Sequence, residues 1–94
     1  TALKHASKLV RYAEAEPLFL AALRINEKRL GPETVVVAID LHDLAVMYIE
    51  QERFAEAEPL LQRALAIREK QFGSEHPETK ETLQQLERAQ DKQV

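Results

Sequence analysis

A chain of 94 residues with a formal charge of −3 and no cysteine has room for one small domain, and excludes disulfides, thiolate catalysis and cysteine-ligated zinc. Its basic residues are scattered among acidic ones, so neither nucleic acid nor a membrane surface is an expected partner, and its longest apolar run, Val35-Val36-Val37-Ala38-Ile39, falls far short of a membrane span of roughly 20 residues. Two glycines and four prolines in a background of Ala, Leu, Glu, Gln, Lys and Arg predict an all-α chain, and with nothing resembling a signal peptide the expected location is cytoplasmic.

The chain is periodic. Arg11-Tyr12-Ala13-Glu14-Ala15-Glu16-Pro17-Leu18 returns as Arg53-Phe54-Ala55-Glu56-Ala57-Glu58-Pro59-Leu60, a period of 42 residues, and the register holds through Ala22-Leu23 and Ala64-Leu65 to Gly31 and Gly73. In chain order, residues 1–9 align with the second half of a first type of helix, A, so the sequence starts inside a repeat; because Thr1 is no natural initiator, a longer parent array is expected. A second type, B, is expected over 12–30, with Tyr12, Ala15, Leu18, Phe19, Ala22, Leu23, Ile25 and Leu30 at helical spacing. Lys28-Arg29 and then Gly31 close it. Thr34 caps the complete A helix, 35–50, which carries Ile39, Leu41, Leu44, Ala45, Tyr48 and Ile49 and breaks at Gln51-Glu52.

The next B helix is expected over 53–71, closed by Gly73, and Pro77 after His76 opens the last helix, 77–92. There Leu83 and Leu86 persist, but Glu87 replaces Ala45 and Gln90 replaces Tyr48, the polarity of a capping helix near the end of an array. Pro17 and Pro59 fall early in their helices, where a missing amide costs little, although each can bend its helix. Short turns between A and B make neighbours antiparallel. The expected organisation is a single domain, 1–94, comprising a partial first repeat (1–30), a complete repeat (34–73) and a C-terminal capping helix (77–92).

Leu41-His42-Asp43-Leu44-Ala45-Val46-Met47-Tyr48, followed by Arg53-Phe54-Ala55-Glu56-Ala57-Glu58-Pro59-Leu60 and Ala64-Leu65-Ala66-Ile67-Arg68-Glu69-Lys70, resembles a tetratricopeptide repeat, with Leu44, Ala45, Tyr48, Ala57, Leu61 and Ala64 at its signature positions. The 42-residue period resembles the longer variety found in kinesin light chains. The resemblance spans nearly the whole chain and implies antiparallel helix hairpins stacked as a right-handed solenoid. It also implies an adaptor that binds a protein or peptide through the concave face of its A helices, without a cofactor.

On that implication the exposed positions of the complete A helix are Ile39, His42, Asp43, Val46, Ile49 and Glu50; the partial first helix offers Lys4, Ser7 and Lys8, and the last helix Gln84, Gln85, Arg88 and Lys92. Lys4, Lys8, His42 and Arg88 around Val46 and Ile49 would suit a peptide with acidic and apolar residues, though charged positions on a helix are more often a solvated face than a contact. Lys4 and Asp43 stand where family members that grip a terminal carboxylate carry asparagine, so a carboxylate clamp is not expected. Self-association is the alternative, because an incomplete first repeat leaves Leu3, Ala6, Leu9 and Val10 as an apolar edge for another copy.

Catalysis finds no support in the sequence. His42 and Asp43 are neighbours, so their side chains diverge by about 100° on a helix and cannot orient one another. His5 and His76 have no partner at motif spacing, Glu14/Glu16 and Glu56/Glu58 point to different faces, and no glycine-rich phosphate loop is present. No metal site is expected.

Overall fold

In the computed structural model, which describes residues 2–94 apart from the side chains of residues 2, 3 and 5, four helices follow one another: α1 (Ala2–Leu30), α2 (Val35–Glu50), α3 (Phe54–Phe72) and α4 (Pro77–Asp91). Each packs on the next, and α4 returns to touch α2, so α2 is enclosed on three sides. The result is an all-α helical repeat solenoid, 42 × 32 × 20 Å.

The punctuation is local chemistry. Gly31 and Gly73 adopt φ of +96° and +87°, a region open to glycine but strained for other residues, and their amides bond back to the carbonyls of Glu27 and Glu69. Thr34 Oγ1 accepts the Val37 amide at 3.3 Å, which satisfies one orphan donor at the start of α2. At the start of α4, His76 Nδ1 accepts the Glu78 amide at 3.1 Å and Pro77 takes a position whose own amide would have no partner. Pro17 and Pro59 both lie inside helices that run through them; the carbonyls they deprive, on Ala13 and Ala55, belong to exposed residues that water can reach.

One boundary differs from expectation. A turn was expected between residues 9 and 12, as the second repeat has between α2 and α3, yet α1 is continuous from residue 2 to residue 30. The second-repeat turn depends on Glu52, which takes φ +60°, and on Gln51, whose Nε2 holds the Met47 carbonyl at 3.2 Å. One period earlier these positions are Val10 and Leu9. A β-branched valine is strongly disfavoured in the left-handed region and a leucine cannot donate to a carbonyl, so the helix continues. Residues 2–10 consequently extend as an arm on which Lys4 and residues 6–10 are all exposed. Of the apolar edge residues Ala6, Leu9 and Val10 are exposed, whereas Leu3 lies outside the described side chains.

The core is the seam of α2 with α3 and α1. Leu41, Ala45, Ala57, Leu61 and Ala64 have no exposed surface, and Leu44 almost none. Alanines at three of these positions let the helix axes approach, and the leucines fill the remaining volume. The α2–α3 turn is tied to the first repeat by Arg53, whose guanidinium reaches Glu16 of α1 at 2.5 Å and Glu56 at 2.6 Å and lies over the Tyr48 ring at 4.3 Å. Since these groups remain partly exposed, Arg53→Ala is expected to cost only about 1 kcal/mol in urea unfolding, and Glu16→Gln in that background little more.

Candidate functional site

Because residues 2–10 continue α1 instead of folding back, a groove of ≈ 640 Å³ opens between α1 and α2. Tyr12, Ala15 and Phe19 line it from α1, with Val46 and Met47 from α2, while Lys8, Arg11, Asp43, Glu50 and Glu81 of α4 supply its charges. The Tyr12 hydroxyl donates to the Glu50 carboxylate across the open end, and this contact pushes the phenol pKa upward. The apolar residues form the floor; carboxylates on α2 and α4 make one wall acidic, and Lys8 and Arg11 make the other basic.

The expected contact residues divide. Lys8, Asp43, Val46 and Glu50 come together in the groove, and Ile39 is exposed further along α2. Lys4 is exposed on the arm and does not line the groove. Gln84 and Arg88 are exposed and Gln85 half-buried on α4, all away from it. Ile49 is a correction: it was expected on the open strip but belongs to the buried core. It lies two turns beyond His42 and so shares the flank that α4 covers.

His42 is the second correction. It touches the groove wall but is only 6% exposed, enclosed between α2, α3 and α4. Its Nδ1 lies 3.2 Å from Thr82 Oγ1 and 3.4 Å from the Arg68 guanidinium, and its Nε2 lies 3.6 Å from Glu81. Burial, and secondarily Arg68, lower its pKa below the ordinary 6.5, against the opposing pull of Glu81 and Asp43. It therefore favours the neutral form and adds no cation for an acidic peptide. The unfolded chain takes up this proton more readily than the folded one. Stability is therefore retained above about pH 6.5 and declines as pH falls below it. His42→Gln is expected to flatten the limb of a melting-temperature profile that lies below about pH 6.5.

Sequence reasoning missed Arg11, Tyr12, Ala15, Phe19, Met47 and Glu81. Ala15 and Phe19 look like core because their second-repeat counterparts, Ala57 and Leu61, are core, and Tyr12 because its counterpart Phe54 packs against that core. Glu81 was findable, since it stands one period after the exposed Ile39. Among the described residues no cluster of three potential metal ligands occurs, and no helix is long and apolar enough to cross a membrane. A protein-family model described as tetratricopeptide repeat matches residues 5–70 and again 41–93. No curated protein matches the chain.

Proposed function

The chain belongs to the tetratricopeptide repeat family, whose members are in general protein–protein interaction modules and typically not enzymes, and we propose that it binds a helical segment of a protein in the α1–α2 groove, without catalysis. The observation that carries this reading is the groove's composition: an apolar floor of Ala15, Phe19, Val46 and Met47 beside the carboxylates Asp43, Glu50 and Glu81. Such a surface suits an amphipathic helix with an apolar stripe and a basic flank. Gln84, Gln85 and Arg88 extend the same concave face along α4 as a peripheral contact.

A fluorescent 16-residue probe helix with leucines every three or four residues and lysines along one flank tests it. It should bind in anisotropy titrations at least about tenfold more tightly than its glutamate counterpart, and Asp43→Lys/Glu81→Lys should reverse that order. Equal binding of the two probes, or none, contradicts the reading.

A further inference from the structure

We propose that the groove's occupant is a second copy of this chain: in a symmetric dimer each α1 arm, residues 2–10, lies in the groove of its partner. This rests on reading the groove as a protein-binding site and adds the identity of the protein bound.

Three observations carry it. The first is the internal repeat. Ala57, Leu61 and Ile67 of α3 are buried in the core with α2, yet of their α1 counterparts one period earlier Ala15 and Phe19 are only half-buried and Ile25 is 53% exposed. Leu18 beside them is 71% exposed. The open face is therefore the seat of an A helix.

Secondly, by the same 42-residue shift the arm is the end of an A helix, separated from its own seat because Val10 cannot take the left-handed turn that Glu52 takes. A straightened hairpin cannot fold back on itself, but two of them lying antiparallel can each fill the other's seat. This is how identical elements exchange between protomers. At about 1.5 Å per residue the arm is roughly 13 Å long, enough to span the approximately 10 Å between Asp43 and Glu50.

Thirdly, the arm is opposite in charge to one of the two groove walls, the one that faces Lys8 and Arg11. Residues 2–13 carry Lys4, Lys8 and Arg11 and no acidic residue, whereas the α2 and α4 wall of the groove carries Asp43, Glu50 and Glu81. In the exchanged dimer the basic arm lies against the partner's acidic wall, and Ala6, Leu9 and Val10 supply apolar surface for the floor.

The test is light scattering after size exclusion, from about 5 to 500 µM. The natural chain should reach twice its 10.7 kDa mass, and Lys4→Glu/Lys8→Glu and Asp43→Lys/Glu81→Lys should each remain at one chain mass. Mixing these two variants should restore the dimer, because both arm–groove pairs are then complementary, and that recovery excludes misfolding of either variant. A natural chain that stays monomeric overturns the exchange; if it still binds the lysine probe helix, the groove's protein-binding role stands with another partner, and if it does not, both readings fall. A dimer indifferent to Lys4→Glu/Lys8→Glu likewise overturns the exchange.

Discussion

Leu61→Ala is expected to lower the unfolding free energy by about 3–4 kcal/mol, while Phe19→Ala, its counterpart one period earlier, costs only about 1–2 kcal/mol despite deleting a larger side chain. Leu61 has no exposed surface and sits among Leu41, Leu44 and Ala64, so truncation leaves a cavity that rigid helix backbones cannot fill. Phe19 is half-buried at the edge of the open groove, where water already reaches part of the ring. A domain of this size is only marginally stable, so Leu61→Ala should show a substantially unfolded fraction without denaturant. Urea unfolding at low micromolar concentration, which keeps monomers apart, checks both values. Equal losses would mean that the α1 seat is not open.

Thr82→Val is the second large effect, expected to cost about 2–3 kcal/mol although it preserves shape and volume. Arg68 is buried, and its terminal nitrogen relies on Thr82 Oγ1 at 2.7 Å, with the Glu78 carbonyl at 3.3 Å and His42 Nδ1 at 3.4 Å as weaker acceptors; its Nε has no partner among the described residues. No carboxylate bonds the guanidinium directly among the described residues, so losing the hydroxyl leaves a desolvated cation poorly solvated. Arg68→Met, which removes the charge itself, should be far milder than Thr82→Val, and in the double variant the threonine substitution should lose most of its effect. Full additivity would show that Thr82 acts independently of Arg68.

The fold was legible because its signals are local and occur twice. Thr34 as a cap, Gly31 and Gly73 as stops and Pro77 after His76 each specify a boundary within a few residues, and the 42-residue register states that two copies fold alike. The register was also the source of the error at residues 9–12: two copies fold alike only where the turn chemistry is copied, and Val10 does not reproduce Glu52. The site was less legible because exposure on a helix depends on its neighbours. Signature spacing placed His42 and Ile49 on the open strip of α2, but the flank they occupy is covered by α4. Conversely Ala15 and Phe19 read as interior, and it is the straightened arm that leaves them lining a groove.

The most direct test of the groove as the binding surface is a ¹H–¹⁵N correlation spectrum of the Lys4→Glu/Lys8→Glu chain titrated with the lysine-flanked probe helix. The largest shifts should fall together on Tyr12, Ala15 and Phe19 of α1 and on Asp43, Val46, Met47 and Glu50 of α2. Shifts concentrated instead on Gln84, Gln85 and Arg88, or on the outer face of α3, would contradict the account.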